Sequence, residues 1–177
     1  MCIRDRALAV APLGAQAAGP PGPGPGATIV AGGLIDPRFV AIGGDGTLYV
    51  TEAGTGGSEQ LPALPGPPGP PGTRGTTGQV SKVAPGGTKT VIAKGLPSYN
   101  QEGAVGPAGI AVAGGALWVS IGGGAVGANA QGAKLKPLPN ESSLVRIDPQ
   151  TGDVTQIADL GAYEAANNPD GNNVDSN

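Results

Sequence analysis

Apolar and polar positions along this chain form short runs that come back in the same order. Phe39-Val40-Ala41-Ile42, a Gly-rich turn and Leu48-Tyr49-Val50-Thr51 return as Gly109-Ile110-Ala111-Val112, a second turn and Leu117-Trp118-Val119-Ser120. Val80-Ser81-Lys82-Val83-Ala84-Pro85 returns as Leu144-Val145-Arg146-Ile147-Asp148-Pro149, and Val30-Ala31 returns twice, as Ile92-Ala93 and Ile157-Ala158. Runs rich in β-branched and aromatic residues, punctuated by Gly, Pro, Asp and Asn, predict the strands of a meander. Four strands to a unit, with the unit repeated, is the pattern of a β-propeller blade.

The first unit places strands at Phe39–Ile42, Thr47–Thr51, Gly78–Ala84 and Thr88–Ala93. Successive connections of an antiparallel meander alternate between its two ends. The connections at one end are tight: 43–46, 85–87, 113–115 and 149–152. The long ones, 53–77, 94–108, 122–142 and everything from 159 onward, fall at the other end, and long loops on a rigid scaffold are where binding and catalytic groups gather. The expected fold is therefore all-β, with about two four-stranded blades near 37–93 and 107–158, incomplete after 159, and one leading strand at Thr28–Ala31. Because a ring closes with about four to eight blades, the chain is expected to be an N-terminal fragment of a longer protein of about six.

Composition changes this picture little. The 34 Gly and 19 Pro would suggest low complexity in a chain without periodicity, but here they serve as turn punctuation. With only 3% aromatic residues, the core must be built from Val, Ile, Leu and Ala. The net charge is -3 and the ten Lys and Arg are scattered, so no basic footprint for nucleic acid exists. No apolar run is long enough for a membrane span. The ends carry their own signals. Met1-Cys2-Ile3-Arg4-Asp5-Arg6 resembles adapter sequence, Ala7–Ala18 closing on Ala15-Gln16-Ala17 matches the tail of a signal peptide, and Gly19–Gly26 is a linker. Residues 1–27 thus read as a leader region, and the expected location is secreted or extracytoplasmic.

The chain has no His and one Cys, Cys2, which removes disulfides, Cys or His zinc sites, and Ser-His-Asp or Cys-His chemistry. Catalysis would fall to Asp, Glu, Lys, Tyr or a carboxylate-held metal, and no catalytic set is assigned. The ligand-binding candidates are Glu52 and Glu102, two carboxylates expected at the long-loop end, and Trp118, which is expected to pack between blades or to stack on a ligand. Asn167, Asn168, Asp170, Asp175 and Asn177 supply oxygens suited to Ca2+; a helical turn over Ala162–Ala166 followed by an Asn-Pro-Asp-Gly turn accounts for the same stretch structurally. Gly at every third position from Gly66 to Gly78 is a collagen-like tract, expected to be a polyproline-like loop insertion. Expected partners are a small molecule or an extracellular protein.

Asp45-Gly46-Thr47-Leu48-Tyr49-Val50-Thr51-Glu52, Thr77-Gly78-Gln79-Val80-Ser81-Lys82-Val83 and above all Tyr163-Glu164-Ala165-Ala166-Asn167-Asn168-Pro169-Asp170 resemble the ScyD/ScyE family, over roughly Thr28–Asn177. The first block is also shared by NHL-like and SMP-30-like propellers. The resemblance implies an exported propeller, and it brings no agreed catalytic residues. The chain departs from the family pattern at Pro107-Ala108, where a His commonly follows the Pro. The leading expectation is a non-catalytic binding or scaffolding module using its long-loop face. Its rivals are a calcium-dependent hydrolase of the SMP-30 or gluconolactonase kind and a collagen-like structural protein.

Overall fold

Each apolar run pairs with the next in sequence, so the chain folds as two curled antiparallel meanders. The computed structural model describes residues 26–63, 71–101, 103–123 and 131–167; residues 1–25 of the leader region lie outside them. The strands are β1 (Pro37–Ile42), β2 (Leu48–Glu52), β3 (Glu59–Gln60), β4 (Thr73–Val83), β5 (Lys89–Asn100), β6 (Ala104–Val105), β7 (Pro107–Ala113), β8 (Ala116–Ile121), β9 (Ser143–Ile147) and β10 (Val154–Asp159), followed by helix α1 (Leu160–Asn167). The first sheet runs β1-β2-β4-β5-β6, with β3 on β4, and the second runs β7-β8-β9-β10.

The two sheets share their irregularities as well as their order. The β1–β2 register shifts between Pro37 and Val40, and the β7–β8 register shifts at the equivalent place, between Pro107 and Ile110. On β5 the ladder steps from Ala93 to Val91 and leaves out Ile92. On β10 it steps from Ala158 to Gln156 and leaves out Ile157, the residue equivalent to Ile92. A bulge is a specific local device that bends and twists a strand, so recurrence at matched positions makes the second sheet a structural repeat of the first.

Side chains alternate between the faces of a strand, and this alternation builds the shared core. Tyr49, Val80, Ala93 and Leu96 of the first sheet meet Leu117, Val119, Ile121, Val145 and Ile147 of the second. Strand β7 lies against β1 and β2, and the buried Thr51 hydroxyl donates across the junction to the Ala108 carbonyl at 2.6 Å. The 149–152 turn closes against β5. Gly152 has φ +81°, and a Cβ there would collide with the Ile92 carbonyl oxygen. Gly152→Ala is expected to lower stability by about 1–2 kcal/mol, from left-handed strain and the clash together; an unchanged urea midpoint would remove this turn as a packing element.

Several expectations change. Residues Thr28–Ala31 are not part of either sheet. Instead, Val30 lies on the 85–87 turn, its carbonyl 2.6 Å from where a Gly87 Cβ would sit, as Ile92 lies on Gly152. Strand β4 starts at Thr73 rather than Gly78, and β5 runs to Asn100 rather than ending at Ala93, so part of the collagen-like tract is strand. Trp118 does not pack between the two sheets. Leu117 and Val119 point into the shared core, which leaves Trp118 half-buried on the opposite face, its indole donating to the Ala113 carbonyl at 3.3 Å. The helix expected over Ala162–Ala166 is α1, capped where Asp159 Oδ1 accepts from the Ala162 amide at 2.8 Å.

Candidate functional site

The long excursions meet at one end of the sheets. Strands β4 and β5 continue past the first sheet as a ribbon pairing Thr73 with Asn100, Arg74 with Tyr99 and Gly75 with Ser98. Strand β3 adds to one edge of this ribbon and β6 to the other. The excursion between β2 and β4 is pinned at its base, where the Leu61 amide donates to the Gly72 carbonyl at 2.9 Å. The excursion of the second sheet returns across the ribbon, so that Leu61, Tyr99 and Leu135 form a small apolar core with Leu138 packed on it.

Arg74 ties these pieces together while only 1% exposed. Its Nε donates to Tyr99 Oη at 3.0 Å, Nη1 to Glu59 at 2.8 Å, and Nη2 to Glu141 at 2.9 Å and to the Lys136 carbonyl. The Tyr99 hydroxyl donates to Glu141 Oε1, and the Leu138 amide donates at 2.6 Å to Oε2, the oxygen that Arg74 also holds. Residues from three separate stretches are therefore joined through one guanidinium, whose planar fork suits carboxylate partners.

The electrostatics favour the charged forms of Glu141 and Arg74 and the neutral form of Tyr99. Burial works to raise the Glu141 pKa, but the Tyr99 hydroxyl, the Leu138 amide and Arg74 outweigh it and hold the carboxyl below its ordinary value. Burial, then the bond to Glu141, pushes the Tyr99 phenol up. Burial would lower Arg74, but its bonds to Tyr99 and Glu141 prevail and raise it. None of these three is poised to exchange a proton near neutrality, so the cluster is built to hold the rim together rather than to act as an acid-base pair.

Glu52 is likewise occupied. It is fully buried at the end of β2 and accepts from the Ile35 amide, from Lys89 Nζ at 3.0 Å and from the Ser81 hydroxyl. Burial opposes its ionised form, while Ser81, the Ile35 amide, Lys89 and Gln79 outweigh it, so its pKa also lies below the ordinary value. Glu52 thus fastens the incoming chain at Ile35 to the first sheet. Glu102, expected to face it, lies outside the described residues, as do Asn168, Asp170, Asp175 and Asn177. Asn167 ends α1, its side-chain amide donating to the Tyr163 carbonyl at 2.8 Å. Among the described residues no three Asp, Glu, Cys or His side chains are grouped as metal ligands, and no helix is long and apolar enough to cross a membrane.

Two buried carboxylates and one raised phenol dominate the pH profile, beside the exposed Asp45 and Asp148, which the Thr47 amide and the Gln150 amide, respectively, hold below their ordinary value. Glu52 and Glu141 contribute fully above the ordinary glutamate value of 4.5 and lose that contribution as pH falls through their folded values. Tyr99 contributes fully below 10.0 and loses its contribution as pH rises beyond. The urea midpoint is therefore expected to be level between about pH 5 and 9 and to fall on both sides. An acid limb unchanged in the Glu52→Gln, Glu141→Gln double variant would overturn this assignment.

The chain matches no model of a known protein family, no curated protein and no solved structure.

Proposed function

We propose that this chain is part of an exported β-propeller of the ScyD/ScyE type, acting as a non-catalytic binding or scaffolding module through the end where its long excursions gather. The observation that carries this reading is the rim itself: three stretches distant in sequence are joined through buried Arg74, whose guanidinium is held by Tyr99, Glu59, Glu141 and the Lys136 carbonyl. Matched bulges in the two sheets support radial repetition. A surface of this kind holds a partner by shape and exposed side chains, and Glu59 and Lys136 stand at its border.

The test is a thermal-shift screen of small molecules and secreted proteins, followed by titration. A ligand is expected to lose affinity in Glu59→Lys and Lys136→Glu, and to keep it in Asp45→Lys and Asp153→Lys at the tight-turn end. The opposite pattern would refute the rim as the binding face. Stabilisation by calcium together with turnover of a lactone would replace this reading with the calcium-dependent hydrolase.

A further inference from the structure

The first sheet meets the chain that precedes it in the way that the second sheet meets the first. The Ala53 amide donates to the Asp36 carbonyl at 2.9 Å, and the Gly122 amide donates to the Gly106 carbonyl at 2.9 Å. A proline follows each of these carbonyls and opens the next strand, Pro37 in β1 and Pro107 in β7. The Val30 carbonyl lies against Gly87 as the Ile92 carbonyl lies against Gly152. Residues 30–36 therefore form one seam with the first sheet, and β5, β6 and Gly106 form the equivalent seam with the second.

The two seams are filled with opposite chemistry. In the second, Ile121 and Val145, 3% and 0% exposed, share a core with Ala93 and Leu96 of β5, and Val154 packs against it. In the first, Glu52, Ser81 and Lys89 hold the corresponding ladder positions. Glu52 Oε2 accepts from the Ile35 amide and from Lys89 Nζ at 3.0 Å, and the same ammonium donates to the Gly33 carbonyl at 2.6 Å. Apolar burial adds little, since Val30 and Ile35 remain 54% and 40% exposed. Among the described residues, Lys89 of β5 is the ion-pair partner of Glu52. Strand β4 offers it the neutral Ser81 and Gln79, and the adjoining Asp36 and Arg38 pair with each other at 3.9 Å.

We propose that the contact of residues 30–36 with the first sheet is an acid-released seam: protonation of Glu52 frees this stretch, while the aliphatic seam between the two sheets stays closed. With the seam shut, the Ser81 hydroxyl, the Ile35 amide and Lys89 overcome the effect of burial and hold the Glu52 carboxyl below its ordinary value of 4.5. Once the stretch lifts away, the carboxyl meets water and loses the Ile35 amide, so it takes up its proton at a higher pH. Falling pH below 4.5 therefore favours the open form. Ile121, Val145 and Val154 carry no ionisable group, and their seam has nothing at these positions to titrate. The proposal rests on the repetition of the two sheets and is independent of what the rim binds.

Amide hydrogen exchange of the full chain, followed by NMR from about pH 7 to about pH 3 and corrected for the intrinsic pH dependence of exchange, reads the two seams separately. Protection of the Ala53 amide is expected to fall at least about tenfold relative to that of the Gly122 amide as the solution is acidified. Lys89→Met, which removes the cation beside Glu52, is expected to lower Ala53 protection already at neutral pH and to leave Gly122 as it was. In Glu52→Gln the ratio of the two is expected to stay constant across the range. Two amides that lose protection in parallel in the unaltered chain overturn the proposal. So does a ratio that still falls with acid in Glu52→Gln, or one that Lys89→Met leaves unchanged at neutral pH.

Discussion

Replacing Arg74 with alanine is expected to lower the stability of the chain by about 3–5 kcal/mol, the range for breaking a buried ion pair by removing one partner. The reason is what stays behind: Glu141, its side chain 9% exposed, loses the guanidinium that accompanied its charge, while the Tyr99 hydroxyl and the Leu138 amide still donate to it. The apolar stem of Arg74 also leaves a void beside the small core of Leu61, Tyr99 and Leu135. Arg74→Lys is expected to recover little, because one ammonium cannot replace a fork that reaches Tyr99, Glu59, Glu141 and the Lys136 carbonyl at once. Adding Glu141→Gln to Arg74→Ala is expected to restore part of the loss by removing the stranded charge. Urea unfolding of the four proteins measures this. A loss below about 1 kcal/mol, the scale of an exposed pair, would show that the guanidinium is not what binds the excursions together.

The second large effect is expected at Leu117→Ala, at about 2–5 kcal/mol for a large-to-small change in a packed core. Leu117 is 0% exposed and sits where the two sheets meet. The informative measurement is the shape of unfolding as well as its midpoint. If the junction makes the sheets one cooperative unit, Trp118 fluorescence and far-ultraviolet circular dichroism shift together in a single transition. Separate transitions would mean that the sheets stand independently and that the shared core contributes little.

Much of the sheet architecture was legible in the chain, because its signal is local. Leu48–Thr51 and Leu117–Ser120 alternate with period two, and Gly and Pro mark the tight turns. The continuation of β4 and β5 was not legible. Gly75, Gly78, Gly95 and Pro97 read as breakers, yet the ladder accommodates them with register shifts. The leading strand failed for the converse reason: Thr28–Ala31 has strand-like residues, but a strand exists only where a neighbour supplies its hydrogen bonds.

The Arg74 cluster left no local trace. Arg74 sits inside Gly-rich triplets that suggest a loop, and its partner Glu141 is 67 positions away. Nothing short of the fold brings the two together. Glu52 was singled out as a carboxylate at the long-loop end, but its hydrogen bonds all turn inward, and only the position of Ile35 over the first sheet reveals that. In the second sheet the equivalents of Glu52, Ser81 and Lys89 are Ile121, Val145 and Val154, so one slot in the repeat is filled by ions in one place and by aliphatic side chains in the other.

The bond from the Leu61 amide to the Gly72 carbonyl has an evolutionary corollary. It joins the two ends of the Gly-Pro-Pro tract next to the pairing of β3 with β4, so a change of length between those ends need not alter that pairing. Doubling the tract would cost only about 0.6 kcal/mol in closure entropy. Insertions and deletions of whole triplets can therefore accumulate there almost neutrally, which makes this stretch the one where relatives of this chain should differ most in length.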